Sequence, residues 1–274
     1  MKILIACDME GITGVTNWDQ VDPGHAEYPR YRHLMTGDVN AAMLGASEAG
    51  ADEILVTDGH ERGTNILIEE LDPCAHLVSG DYSPLAMVQG IDQGVDGVIF
   101  VGYHARAGSQ NAILDHTWSS RRVTNLWLND ILVGEYGLNG AVAGYFNAPV
   151  LMLTGDQTAC AQASELLGPI ETVVVKTAVS RMAAICLPPQ VTEELIQRAA
   201  SQAVKRLQAG NAPKPFVITS PVHVTIDFIS SHQADQAALL PGSKRVDGRR
   251  LTFTAQDMLA AYYAFQAAMA MVSL

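Results

Sequence analysis

The chain has 274 residues, 48% hydrophobic and 17% charged, which are ordinary values for a folded globular protein. Its formal net charge of -12 would repel a phosphate backbone, which argues against nucleic acid and anionic membrane surfaces as main partners. The four cysteines form no CxxC pair, so neither a disulfide framework nor a thiolate zinc site is expected.

The start of the chain also bears on its location. Only the short apolar run Ile3 to Cys7 precedes Asp8 and Glu10, and this is too short for a secretory signal peptide. No uninterrupted apolar stretch approaches the roughly 20 residues of a membrane span. A cytoplasmic protein without a membrane partner is therefore predicted.

The first half alternates β-rich runs with segments typical of helices, which indicates a mainly parallel, doubly wound α/β sheet. Its predicted strands are nearly pure Ile, Leu, Val and Phe, as expected of strands covered on both faces. Helices are predicted at Arg32 to Gly50 and, after Thr64, through Leu71. The predicted strands are Lys2 to Cys7, Glu53 to Thr57, Gly97 to Gly102 and Pro149 to Leu153, with one more at Glu171 to Lys176.

The remaining elements predict a second, smaller unit. A hairpin is expected at Asn125 to Val133, followed later by a helix at Thr192 to Leu207. After a linker at Gly210 to Pro215, the strand Val222 to Ile229, a hairpin at Asp247-Gly248 and a terminal helix near Gln256 form an α+β pattern. We therefore divide the chain into an α/β metal-binding catalytic domain at 1–190 and an α+β unit at 191–274, which completes the subunit and its oligomer contacts.

Ionisable residues repeatedly follow the predicted strands. The first strand runs into Asp8-Met9-Glu10, and residues two apart in an extended chain point to the same side. The second ends in Asp58-Gly59-His60, the third in Gly102-Tyr103-His104, and Glu135 follows a strand-like run. Ligands of open α/β sheets bind at the carboxyl ends of the strands, so this pattern predicts one shared site.

Asp, Glu and His without Cys form the ligand set of hydrolytic zinc, manganese or cobalt sites. The predicted metal ligands are Asp8, Glu10, His60, His104 and Glu135. Five groups exceed the needs of one catalytic metal, and a bridging Asp8 would give each of two metals three protein ligands. Taken singly, Asp8 is also compatible with a turn or helix cap and Glu135 with a helix-dipole contact, so only their joint placement favours a metal site.

His116 is a candidate catalytic residue in the loop-like stretch Ala105 to Arg122. An imidazole there can act as general acid or base near neutral pH, although a plain surface position fits the sequence as well. Direct attack by the ring is a further alternative. Asp58, close to His60 in sequence, is a candidate support for that ligand, but a separation of two residues is too weak a basis to include it in the site.

Several motifs follow one another in a characteristic order over essentially the whole chain. They are Asp8-Met9-Glu10-Gly11-Ile12, Asp58-Gly59-His60, Gly102-Tyr103-His104-Ala105, Gly134-Glu135-Tyr136-Gly137-Leu138-Asn139, Val175-Lys176-Thr177 with Ser180-Arg181, and Phe253-Thr254-Ala255 with Asp257-Met258. Together they resemble the D-aminopeptidases of the dipeptide-transport type, peptidase family M55. The stretch Leu114-Asp115-His116-Thr117-Trp118, followed by Arg121 and Arg122, departs most from the family pattern.

The resemblance implies a binuclear zinc aminopeptidase, with manganese or cobalt as alternative metals. The five ligands named above map onto its metal site, and His116 maps onto its catalytic histidine. It implies removal of the N-terminal residue from short peptides, with D-amino acids such as D-Ala as the expected class. It also implies a ring-shaped homo-oligomer, specifically a decamer.

Three other functions compete with this interpretation. The nearest is another two-metal amidohydrolase or phosphoesterase on a similar α/β sheet. A nucleotide-binding loop at Gly11 to Gly14 is disfavoured, because both GxGxxG and a Gly-Lys-Ser/Thr ending are missing there. The third is a noncatalytic assembly protein stabilised by metal.

Overall fold

The computed structural model describes residues 1–272, which fold around two β-sheets. The strands are β1 (Lys2–Cys7), β2 (Glu53–Asp58), β3 (Ala75–Val78), β4 (Gly97–Val101), β5 (Val123–Leu128), β6 (Ile131–Val133), β7 (Val150–Asp156), β8 (Glu171–Ser180), β9 (Ala183–Cys186), β10 (Val222–Phe228), β11 (Lys244–Arg245) and β12 (Arg250–Ala255). The helices are α1 (Tyr28–Glu48), α2 (Glu135–Tyr145), α3 (Gln157–Leu167), α4 (Pro189–Gln208), α5 (Ser231–Ala237) and α6 (Met258–Met271).

The larger sheet has seven strands in the spatial order β3-β2-β1-β4-β7-β8-β9. Every neighbouring pair is parallel except β8 and β9. Both faces are covered, since Ile3 and Ile5 of β1 pack in the core with α1 and α4, whereas Leu4 and Ala6 pack in a second core with α2 and α3. The predicted mixed α/β class with a mainly parallel sheet is confirmed.

The smaller sheet is antiparallel, in the order β11-β12-β10-β5-β6, and α5 and α6 pack against it. Two of its strands, β5 and β6, come from the first half of the chain, while α4 packs along α1 beside the larger sheet. The division at residue 190 stays a prediction. Within residues 1–272, no helix combines the length and apolar character of a membrane span.

One predicted helix is wrong. The segment from Thr64 to Leu71 forms turns, because its backbone N–H groups bond to side chains instead of to a helical ladder. Those of Asn65 and Ile66 donate to the Asp58 carboxylate, and that of Leu67 donates to the Thr36 hydroxyl. Side chains from distant segments thus override the local helix preference.

Helix α1 approaches α4 so closely that a glycine is needed at one contact. A Cβ on Gly45 would lie 2.1 Å from the carbonyl oxygen of Gln197. We predict that Gly45→Ala lowers the free energy of unfolding by about 2 kcal/mol, because backbone must shift to admit the methyl group. Chemical denaturation of the variant and the parent protein measures this difference.

Gly37 on the same helix provides the matched control. Its Cβ would meet only the end of the flexible Glu193 side chain, at 2.9 Å. Gly37→Ala should therefore be neutral or stabilise the protein by up to about 1 kcal/mol through better helix propensity. Equal losses of stability in the two variants would contradict the close-packing explanation.

Candidate metal centre

Three adjacent strands deliver the first part of the candidate site. Asp8 directly follows β1, His60 lies two residues after β2, and His104 lies three residues after β4. Glu135 is the first residue of α2. Residues 9 to 12 form a turn, with the Ile12 N–H 3.3 Å from the Met9 carbonyl oxygen, so the expected extended geometry after β1 is wrong.

Two glycines allow the loops after β1 and β4 to touch. A Cβ on Gly11 would lie 2.0 Å from the Tyr103 carbonyl oxygen, and one on Gly102 would lie 2.3 Å from that of Asp8. The two loops are joined directly, since the Gly11 N–H donates to the Gly102 carbonyl oxygen at 2.7 Å. Glycine at both positions is therefore a steric requirement for bringing Asp8 and His104 together.

The five predicted ligands lie in one buried cluster, each at most 6% exposed. His60 Nδ1 lies 3.3 Å from Asp8 Oδ1 and 3.2 Å from Glu10 Oε2. His104 Nε2 lies 3.4 Å from Asp8 Oδ2 and 3.0 Å from Glu135 Oε1. The two oxygens of Asp8 thus face different imidazoles.

His116 joins the same cluster. Its Nε2 lies 3.5 Å from Glu135 Oε1 and 3.8 Å from Glu10 Oε1, and its ring stacks on His104 with centroids 3.9 Å apart. His104, His116 and Glu135 form one group with metal-binding separations, and Asp8, Glu10 and His104 form another. All six predicted site residues are therefore brought together by the fold.

Backbone carbonyl groups orient all three imidazoles. A carbonyl oxygen only accepts, so each nitrogen that contacts one must carry the proton, and the other nitrogen of a neutral ring has a lone pair facing the carboxylates. The contacts are His60 Nε2 to Val21 O at 2.8 Å, His104 Nδ1 to Ala105 O at 2.9 Å and His116 Nδ1 to Leu114 O at 2.8 Å. A lone pair aimed at carboxylates is the arrangement that a cation between them stabilises.

The pKa values show how strongly the site favours positive charge. Burial acts to raise the pKa of Asp8, but the close imidazoles of His104 and His60 hold it well below its usual range. Burial acts to lower the pKa of His60 and His104, but the charges of Glu10 and Glu135 respectively, together with that of Asp8, raise both well above the ordinary value. Protons in the cluster would be displaced when a metal binds.

Buried polar atoms without partners provide the test of whether this donor set fits a metal. Asp8 Oδ2, Glu10 Oε2 and His104 Nε2 are buried and make no hydrogen bond within the described part of the chain. His104 Nε2 is close to Glu135 Oε1 but misaligned for a hydrogen bond. Such orphaned atoms are costly unless something binds them, and their Asp, Glu and His chemistry suits zinc.

Asp58 supports the loop that carries His60, whereas the His60 ring nitrogens lie against Asp8 and Val21. Its carboxylate accepts hydrogen bonds from Asn65 N, Asn65 Nδ2 and Ile66 N at 2.5, 2.7 and 2.8 Å. Asn65 Nδ2 also donates to the His60 carbonyl oxygen at 2.6 Å. Asp58 therefore fixes the loop after β2, while Val21 orients the ring.

Lys176 is a supporting residue to which the sequence analysis gave no role. It lies in β8 and is only 1% exposed, and its Nζ donates to the carbonyl oxygens of Glu10 and Ile12 at 2.6 and 2.7 Å. Burial lowers its pKa to about 8. A lysine directly after the apolar run Val173 to Val175, within a predicted strand, was the available signal, because a buried ammonium must be hydrogen-bonded.

Comparison with known proteins agrees with this geometry. The D-aminopeptidase family model, Peptidase_M55, matches residues 1–267. The chain belongs to the D-aminopeptidase family. A D-aminopeptidase of Bacillus subtilis (strain 168) is 39% identical over 265 residues, which cover 96% of this chain and 95% of that protein.

A solved structure shares the whole fold. It is the Zn-dependent D-aminopeptidase DppA from Bacillus subtilis, a self-compartmentalizing protease, with a TM-score of 0.94 and 38% identity over 99% of this chain and 97% of that one. The predicted family and the prediction of a peptide-hydrolysing enzyme are thereby confirmed.

We predict that Lys176→Met in this D-aminopeptidase family member weakens zinc binding roughly tenfold, as is typical when the support of a metal ligand is removed. The carbonyl groups of Glu10 and Ile12 would lose their donor, and the Glu10 carboxylate would be held less firmly. Competition with a chromogenic chelator measures the affinity. Lys205→Met, an exposed change on α4, is the control, and equal affinities in the two variants would refute the positioning role.

Proposed function

We propose that the protein is a binuclear zinc-dependent aminopeptidase that removes the N-terminal residue of short peptides, with D-Ala peptides as the preferred class. The main support is the buried cluster of three carboxylates and three imidazoles in a member of the D-aminopeptidase family. The similar solved structure is that of a Zn-dependent D-aminopeptidase, and the sequence relative also carries the name D-aminopeptidase.

The proposed metal ligands are Asp8, Glu10, His60, His104 and Glu135. Asp8 would be available to both metal ions, because Oδ1 faces His60 while Oδ2 faces His104. Glu10 would complete the ligand set beside His60, and Glu135 the set beside His104. The backbone N–H of Trp118 donates to Glu135 Oε1 at 2.7 Å and so fixes the direction of that carboxylate.

His116 is assigned to proton transfer instead of metal binding. It alone among the six site residues also lines a neighbouring cavity of about 440 Å³, where a substrate can enter. Bound zinc would polarise the scissile carbonyl group and lower the pKa of water. His116, with Nδ1 fixed by the Leu114 carbonyl oxygen, would accept a proton at Nε2 and return it to the leaving amine.

A ring-shaped homo-oligomer, specifically a decamer, is the proposed assembly. The similar DppA structure is that of a self-compartmentalizing protease, which is the basis for extending assembly to this chain. The hairpin formed by β8 and β9 carries exposed apolar side chains, among them Val179 at 62%, Met182 at 51% and Ile185 at 69%. Burying them between subunits would stabilise such a ring.

Metal content tests the central proposal. Purified protein should contain about two zinc ions per chain, measured by elemental analysis. It should release the N-terminal residue from D-Ala dipeptides faster than from L-Ala dipeptides or any phosphoester, and chelation should remove that activity. Protein without stoichiometric metal, or activity that survives complete metal removal, would contradict the proposal.

Replacement of His116 tests its assignment. His116→Ala should lower kcat roughly 100- to 10,000-fold, the usual contribution of a proton-transfer group, while bound zinc stays near the parent value. Turnover and metal content are measured on the same preparation. His223→Ala, which changes an exposed histidine on β10, should leave both unchanged. Full activity in His116→Ala, or loss of its metal, would disprove the role.

A further inference from the structure

A cavity of about 440 Å³ adjoins the candidate metal centre on the His116 side. Its walls combine the loop that carries His116, the strand β5 and the end of the β8 hairpin. Gly108, Asp115, His116, Asn125, Arg181 and Ile229 are among its lining residues. His116 borders both the candidate metal centre and this cavity. A peptide whose scissile bond lies beside His116 would therefore place its leaving residue in the cavity.

Arg181 supplies the only permanent positive charge among the residues that line this cavity. Its side chain is 50% exposed, yet it is held firmly on one edge. Nε donates to Asp115 Oδ1 at 2.7 Å, and Nη2 donates to the Asp115 carbonyl oxygen at 2.9 Å. Asp115 Oδ2 is separately engaged by the Gly108 N–H at 2.7 Å, so the whole arrangement has a fixed orientation.

Trp18 links Arg181 to the catalytic region. The Arg181 guanidinium carbon lies 5.7 Å from the centre of a Trp18 ring, and that indole meets the His116 ring edge-on with centroids 5.4 Å apart. A planar guanidinium held over an aromatic ring and paired on one edge keeps its other edge available. Within residues 1–272, Nη1 of Arg181 makes no hydrogen bond.

We propose that Arg181 binds the free α-carboxylate of a short peptide substrate through its Nη1 edge, and this inference rests on the aminopeptidase function proposed above. In a dipeptide the carboxylate lies one residue, about 3.5 Å of extended chain, beyond the scissile bond. A guanidinium matches a carboxylate in both charge and planar geometry. The enzyme would thereby select peptides that end inside the cavity.

A purely structural role for Arg181 makes a different prediction. The Asp115 contacts anchor the loop before His116, and loss of that anchor would lower kcat for every substrate by the same factor. Carboxylate binding, in contrast, affects only substrates with a free C-terminus and acts mainly on KM. The ratio of kcat/KM for a dipeptide to kcat/KM for its C-terminal amide therefore separates the two roles.

The experiment compares D-Ala-D-Ala with D-Ala-D-Ala amide on the zinc-loaded protein. The parent enzyme should favour the free acid by about tenfold or more, the effect of one charge-assisted hydrogen bond. Arg181→Gln should bring the ratio close to one, chiefly through a higher KM for the acid. Arg181→Lys, which keeps a charge opposite Asp115 but loses the second edge, should give an intermediate ratio.

Arg206→Gln is the matched control. Arg206 also pairs with an acidic side chain, Glu171, but Glu171 lies at the start of β8, whereas Arg181 follows the end of that strand. The Arg206→Gln variant should keep the parent ratio. The inference about Arg181 would be overturned if the parent enzyme used acid and amide equally, or if Arg181→Gln kept the parent ratio of kcat/KM for the two substrates. In either case, release of D-Ala would still support the aminopeptidase function. No release from either substrate by the parent enzyme would refute both.

Discussion

The burial of three carboxylates in one space is the constraint on which the rest of the structure depends. Asp8, Glu10 and Glu135 lose water and repel one another there, and this is unfavourable unless positive charge compensates. Backbone carbonyl groups occupy one nitrogen of each imidazole, so a ring that gives up its second proton directs a lone pair at these carboxylates. Such a donor set is matched by metal cations and poorly matched by neutral groups.

The fold supplies this arrangement with little freedom left in the backbone. Parallel pairing brings the ends of β1, β2 and β4 side by side, and Gly11 and Gly102 let the following loops touch. Lys176 reaches from β8 under the Glu10 turn and satisfies two carbonyl groups. Because these supports come from strands and from the loops that directly follow them, the site is built on the regular part of the fold.

The sequence predicted the structure correctly where a run of residues has one plain physical explanation. Runs of Ile and Val predicted the central strands, and acidic residues and histidines directly after them predicted a common site. It was misleading where distant side chains decide the local structure, as for the segment from Thr64 to Leu71, whose N–H groups bond to Asp58 and Thr36. Helix α3 was missed because its N-cap, Asp156, belongs to the end of β7.

The cavity beside His116 shows why recognition is harder to predict than metal binding. The metal-binding cluster comes mostly from strand ends, whose proximity follows from sheet topology. The cavity wall joins Asp115 to Arg181, with Trp18 against the Arg181 guanidinium, and these residues lie far apart in sequence and meet only through tertiary packing. Loops of this kind tolerate change without disturbing the sheet. The stretch from Leu114 to Arg122, which departs most from the family pattern, contributes to this loop-built wall, whereas the candidate metal ligands come mostly from the ends of the strands.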